Sequence, residues 1–345
     1  MEKNSAAPGR ADPSFDEIPK FNATVISPGA RLYANGRQQV AIEVVLEAVL
    51  GIESATLTDS EVASIRLVHY NTGEELSDAW TISRARNDYS FYPEPGRDAS
   101  AITRVSRTGD RKPYVIELYV STTESAGLSR KLALAITRES DGLVVITNGW
   151  TVPPFDDLTS SLTLEIVDVP TYSIQNYTFD KQIVLQVPFE GDVSQPGHAR
   201  EDGGSPVFIA NYHFTAVDNN NKTILFRTLE VENGGMIQWS VKNPLESFAS
   251  YTGYAVPGSD DIIYSDDIKL GDQHTPEKTV RQNVKDKGTI VLVGDIDIPF
   301  HEDSAVKHGG PRGVTAIDQY GNDHELKVRF KDGTPTGRFD LVLFK

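Results

Sequence analysis

Leu32-Tyr-Ala-Asn-Gly-Arg-Gln-Gln-Val-Ala-Ile-Glu-Val-Val-Leu-Glu-Ala-Val49 is the stretch whose reading decides the fold. Asn35-Gly36 is a turn dipeptide, because both residue types tolerate positive φ. Beyond it, Val40, Ile42, Val44 and Leu46 fall on one face of an extended chain. Gln39, Ala41, Glu43, Val45 and Glu47 fall on the other. That alternation predicts a strand with one buried face. It argues for a β-sandwich and offers no chemistry.

The same grammar recurs outward from this segment. Strand-like runs with turn signals between them lie at 23–26, 63–70, 101–106, 114–121, 131–138, 143–147 and 161–169. In the second half they lie at 182–187, 207–217, 223–227, 236–241, 289–298, 325–330 and 339–344. Val217-Asp-Asn-Asn-Asn-Lys222 is a hairpin turn, and the last run pins the C-terminus into a sheet. Trp239, inside one of these runs, reads as core. Helical signals are scarce. Thr58-Asp-Ser-Glu61 has the capping-box pattern and predicts one or two helical turns.

Residues 1–20 are polar and lack periodicity, which predicts a flexible N-terminal arm. Gly149-Trp-Thr-Val-Pro-Pro-Phe-Asp-Asp157 breaks the strand pattern, one more strand follows, and Pro170 ends it. The expected organisation is therefore all-β. An arm at 1–20 precedes antiparallel β-sandwich domains, Ig-like or jelly-roll-like, at 21–170 and 171–345. Long polar loops at 188–206, 243–288 and 299–312 exceed what connection requires, so function is expected there.

The bulk numbers fit this plan. A chain of 345 residues suits two domains better than one. An apolar fraction of 39% with 9% aromatic residues supports packed β domains and lies far from a disordered composition. The formal net charge of −16 disfavours nucleic acid and anionic membranes as partners. With no cysteine, disulfides, thiolate catalysis and cysteine metal sites are excluded.

No apolar segment follows Lys3, so no secretory signal is read, and no run is long enough to span a bilayer. Sequons at Asn22, Asn176 and Asn221 then read as chance matches. The expectation is synthesis in the cytoplasm, with export by another route or incorporation in a virion-like particle.

Three stretches are candidate sites. Ser259-Asp-Asp-Ile-Ile-Tyr-Ser-Asp-Asp-Ile-Lys-Leu-Gly-Asp272, with Asp295 and Asp297 on one face of a downstream strand, clusters carboxylates as calcium requires, since a hard cation takes roughly six to eight oxygens. Asp260, Asp261, Asp266 and Asp267 are the candidate ligands. The spacing matches no EF-hand, and a solvated loop is the competing reading. Nearby Tyr251, Tyr254 and Tyr264 are candidate ligand-binding aromatics, and no other cofactor is expected. In the second stretch, His301, Glu302, Asp303 and His308 carry metal-binding or acid–base residue types, for which chance clustering with His274 and His324 is the simpler account.

The third candidate is Ser83-Arg-Ala-Arg-Asn-Asp-Tyr-Ser-Phe-Tyr-Pro-Glu-Pro-Gly-Arg97, continuing to Lys112. It is basic and aromatic within an acidic chain. Arginine and tyrosine dominate interface energetics. Arg84, Arg86, Tyr89, Tyr92, Arg97, Arg104 and Arg107 are therefore the candidate partner-binding residues. Gly-x-Ser-x-Gly, His-Glu-x-x-His, the P-loop and Gly-x-Gly-x-x-Gly are all absent. A sandwich glycosidase needs only carboxylates and aromatics and stays open.

Ala34-Asn-Gly-Arg-Gln-Gln-Val-Ala-Ile-Glu-Val45 resembles the opening of bacterial immunoglobulin-like domains of the invasin and intimin type. Ile317-Asp-Gln-Tyr-Gly-Asn322 is similar to a turn of those domains. The resemblance implies a scaffold or adhesive role. The expected function is a non-enzymatic structural or interaction protein, part of a bacterial or phage extracellular assembly or an exported binding protein. A protein partner or self-assembly is expected. A carbohydrate-binding or carbohydrate-active module, or the binding component of a secreted toxin, are the alternatives.

Overall fold

The computed structural model describes residues 13–98, 100–102, 113–151, 153–187, 206–239, 248–271, 274–282, 287–296, 298, 300, 309–332 and 337–345. The chain divides into two units, 1–169 and 170–345. Each has its own core, and the division falls at the Pro170 that follows the 161–169 run.

The first unit is a sandwich of two sheets. One contains β1 (Glu17–Val25), β3 (Val40–Leu50), β7 (Tyr114–Thr122) and β6 (Trp80–Ser83) in that order, with β4 (Glu53–Ser54) paired on β3. The other contains β2 (Arg31–Tyr33), β10 (Ser161–Val167), β8 (Ser129–Thr137) and β5 (Arg66–His69), with β9 (Val144–Ile146) on β8. β2 runs parallel to β10, so the pairing is not purely antiparallel. Asn35-Gly36 consequently joins strands of different sheets rather than closing a hairpin. Val40, Ile42, Val44 and Leu46 face the core with Leu67, Leu118, Leu134 and Leu164. The predicted helix is α1 (Asp59–Ser64): Thr58 Oγ1 accepts from the Glu61 amide, and Glu61 returns the bond to the Thr58 amide.

The expected arm at 1–20 is corrected over its described part. Phe15 is fully buried against Phe155, and residues 17–20 already belong to β1. Phe15 supplies apolar area that a polar composition had masked. Residues 1–12 lie outside the described residues.

The second unit repeats the architecture. One sheet orders β11 (Tyr177–Gln186), β12 (Phe208–Val217), β17 (Gly288–Asp295), β16 (Ala249–Ala255) and β15 (Ile237–Trp239), with β13 (Thr223–Ile224) on β12. The other orders β14 (Phe226–Val231), β18 (Arg312–Asp318), β19 (Asp323–Phe330) and β20 (Leu341–Phe344). Their shared core holds Phe214, Phe226, Leu292, Val314 and Val328. β20 pairs with β19 and so ties the C-terminal strand to the edge of the sheet.

β16 overturns the reading of 243–288 as a polar loop. Its sequence Ala-Ser-Tyr-Thr-Gly-Tyr-Ala is small and polar, yet every residue is buried. A strand covered on both faces takes small residues wherever another chain segment presses on it. β18 and the short β2 and β6 likewise fell outside the predicted runs. The run at 101–106 lies outside the described residues except Ala101 and Ile102, which are not in a strand.

Candidate functional site

The alternation in β3 implies a wet second face, but Ala41 is 0% exposed and Glu43 only 2%. The reason is a cover. Residues 84–98 and 100–102 lie over the outer face of this sheet, where Phe91 packs with Ile26, Ala41 and Tyr119, and Ile102 sits against them. The opening motif itself fastens the cover. Gln38 Oε1 accepts from the Tyr33 amide while its Nε2 donates to Ser90 O. Gln39 Oε1 accepts from the Asn87 amide at 2.9 Å, and Asn87 Nδ2 donates to Arg37 O at 2.6 Å.

The candidate partner-binding residues sit on this cover. Arg84 Nη2 donates to the carbonyls of Val62 and Ile65, satisfying acceptors at the C-terminal end of α1. Burial of part of that guanidinium lowers its pKa. Arg86 donates to Ser100 O and lies 4.4 Å over the Phe91 ring. Arg97 donates to Pro28 O. All three side chains belong to exposed residues. Tyr92 is half-buried, 5.0 Å from Tyr33 and beneath the Arg31 guanidinium, and Tyr89 is half-buried. Arg104 and Arg107 lie outside the described residues.

The second unit uses the same device. Residues 256–271 and 274–282 cover the outer face of the sheet built on β17. Ile262 N donates to Lys278 O, Val280 N donates to Asp260 O, and Tyr254 and Ile263 exchange backbone bonds. Leu270 and Val280 are buried against Ile209, Tyr251, Val291 and Val293. Asn211 Nδ2 donates to Arg281 O at 2.6 Å, and Gln182 Nε2 to Gln282 Oε1. The polar side chains of the outer face thus grip the cover, as in the first unit.

This geometry corrects the tyrosine and calcium readings. Tyr251 is 2% exposed and Tyr254 8%, so both are structural side chains of β16 rather than ligand-facing aromatics. Burial pushes both phenols above their ordinary value. Asp260, Asp261, Asp266 and Asp267 are exposed but do not converge. Asp261 bridges to Thr279, its amide donates to Ser259 Oγ, and the Asp267 amide donates to Ser265 Oγ. Among the described residues no three acidic or histidine groups gather to hold a metal. His301, Glu302, Asp303 and His308 lie outside the described residues.

A cavity of about 420 Å³ opens within the second cover, lined by Tyr264, Ser265, Asp266, Lys269 and His274, with Ile268, Leu270, Gly271 and Pro276. His274 Nδ1 lies 3.3 Å from Asp295 Oδ2, and both side chains are 4% exposed. Asp295 stands at the end of β17, where its Oδ1 accepts from the Ile296 amide. The Tyr264 hydroxyl is buried with no hydrogen-bond partner. The sequence reading set Asp295 on the polar face of an amphipathic strand and His274 among scattered histidines; the structure buries Asp295 and pairs it with His274, a contact that no local motif signals.

His324 belongs to a different, structural network. Its Nδ1 meets the Tyr177 hydroxyl at 2.9 Å and its Nε2 lies 3.3 Å from Asp318 Oδ2, with the Tyr172 ring stacked on the imidazole. Burial pushes the Tyr177 phenol up to about 12.

No family model matches the chain, and no curated protein matches it. Solved structures similar to it include the adhesin InvE of Yersinia pseudotuberculosis, at 9% identity and a TM-score of 0.20, covering 90% of this chain and 61% of that one. The collagen adhesin of S. aureus is similar at 9% identity and a TM-score of 0.17, covering 89% and 91%. The chain therefore spans about 61% of the length of the first. At these scores the likenesses carry no functional argument, and the all-β sandwich architecture stands on the sheets themselves. Among the described residues no helix is long and apolar enough to cross a membrane.

Proposed function

We propose that this protein is a non-enzymatic interaction protein, and that the outward side of the 84–97 cover is its contact surface for a protein partner with an acidic face. A place in a bacterial or phage extracellular assembly, or a role as an exported binding protein, belongs to the same reading. One observation carries it: the Arg86 guanidinium sits 4.4 Å over the Phe91 ring, flanked in sequence by the exposed Arg84 and Arg97, on a backbone fastened to the sheet. Ordering a flexible arginine on binding has an entropic cost, and a guanidinium already stacked on a ring avoids part of it. Arg84, Arg86 and Arg97 are interspersed with Asp88, Glu94 and Asp98, so what the surface offers a carboxylate is exposed guanidinium donors rather than a net positive field. The absence of nucleophile, metal and phosphate-binding motifs from the sequence supports a role without catalysis.

The test is a pull-down with size-exclusion chromatography on the wild type and on Arg86→Glu. The reading expects a defined partner or a self-assembled species, lost or weakened roughly tenfold in the variant while its cooperative unfolding transition is retained. A strict monomer with no partner contradicts it, as does undiminished capture by Arg86→Glu.

A further inference from the structure

We propose that two copies of this chain dimerise about a two-fold axis through the outer face of the β14-β18-β19-β20 sheet, with β19 of one copy antiparallel across β19 of the other. β19 alternates without a break: His324, Leu326, Val328 and Phe330 are buried, while Asp323, Glu325, Lys327 and Arg329 are exposed. The exposed four share one face of the strand, and their charges run negative, negative, positive, positive. A two-fold axis in the contact plane, crossing β19 between Glu325 and Lys327, reverses that order. It sets Glu325 against Lys327 of the second copy and Asp323 against Arg329, each pair occurring twice. A face of one sign would repel its own copy, whereas this order is complementary to itself.

The neighbouring strands fit the same axis. Thr315 on β18 stands beside Glu325, and Phe344 on β20 stands beside Lys327. Val342 and Phe344 are half-buried, and the Arg329 guanidinium lies 5.6 Å over the Phe344 ring. The axis places the two Phe344 side chains about 7 Å apart along the strand direction, an apolar contact beside the charged pairs. Glu230 and Glu232, on the β14 side, meet no cation under this axis. That side is therefore the rim, about 10 Å from β19.

The other sheet of this unit has its outer face covered by residues 256–271 and 274–282, whereas Thr315, Glu325 and Lys327 are exposed. Four strands about 4.8 Å apart and about 27 Å long offer roughly 500 Å² per copy. A standard interface takes about 800 Å² per partner, so this dimer is a weak one. The net charge of −16 opposes it at long range, but salt at about 0.15 M screens repulsion beyond about 8 Å and leaves the contact pairs. The surface is separate from the Arg86 cover, and the inference does not rest on that reading.

The experiment is sedimentation velocity of the full chain, loaded from about 1 μM to about 0.5 mM at about 0.15 M salt. A reversible monomer–dimer equilibrium with a Kd of roughly 10–300 μM is expected. Lys327→Glu and Glu325→Lys should each raise that Kd at least about tenfold while keeping cooperative unfolding, because each sets like charges opposite one another twice. The first makes the chain more acidic and the second less so, and net charge therefore cannot account for both losses. Mixing the two variants should restore the dimer, since opposite charges then meet at every position. Both substitutions in one chain should restore it as well. Arg86→Glu should leave it unchanged, which separates this contact from the one on the cover. A monomer at all concentrations overturns the proposal, as does a dimer indifferent to both single substitutions or a failure of both restorations.

Discussion

Asn35 Oδ1 accepts from the amides of Arg37 and Gln38, at 2.9 and 2.8 Å, and holds the turn that the sequence announces. Only the second residue of the dipeptide adopts positive φ: Gly36 stands at +69°. A Cβ there would also meet Thr123 Cγ2 at 2.8 Å. Gly36→Ala is therefore expected to destabilise the first unit by about 1–2 kcal/mol, read as a lower urea midpoint with unchanged slope. His213 offers a second test at this scale. It is 6% exposed between Gln182 Oε1 and Thr289 Oγ1, and burial, then the Lys287 charge, lowers its pKa. The unfolded chain then binds the proton more readily than the folded one. Stability from the neutral imidazole is complete above the unfolded value of about 6.5 and is lost as pH falls through the lowered folded value. His213→Gln should flatten the fall in melting temperature between about pH 7 and pH 5. Equal pH slopes in both proteins would contradict the assignment.

At the scale of elements, legibility depended on which side of a strand was being read. Val40, Ile42, Val44 and Leu46 declared the core face because branched apolar residues at period two have few other uses. The capping box at Thr58 was equally plain, since both reciprocal bonds are local. Gln38 and Gln39 were opaque. Gln39 reads as lying on the polar second face, and together with Gln38 it clamps a segment about fifty residues away whose sequence has no periodicity. β16 was opaque for a related reason: its Gly253 answers a close approach by Tyr264 and Ile262 rather than a turn. A Cβ on residue 253 would lie 2.5 Å from Tyr264 Cε1 and 2.6 Å from Ile262 Cγ2. Gly253→Ala should lift the second cover and cost about 1–3 kcal/mol, with a change in near-ultraviolet circular dichroism from the displaced tyrosine. A variant as stable as the wild type would show that the ring does not rest there. The His274–Asp295 pair depended on the same packing and left no mark in local sequence.

For the whole molecule, the long loops change meaning. Each unit is a sandwich whose outer face on one sheet is covered by its own chain, residues 84–98 and 100–102 in one case and 256–271 and 274–282 in the other. That burial on both faces explains why β12, β16 and β17 are almost wholly interior in a chain only 39% apolar. It also leaves each unit with a complete core. Residues 1–169 and 170–345, expressed separately, should each unfold in one cooperative transition. A half lacking tertiary structure would contradict the division. The central claim is that the covers are ordered layers of the fold. Amide hydrogen exchange on the full chain, followed residue by residue, tests it most directly. The Ile262, Ile263 and Val280 amides should be protected to a degree comparable with those of β16, whereas exchange at the rate of an unstructured peptide would show the second cover to be a loose loop and contradict the account.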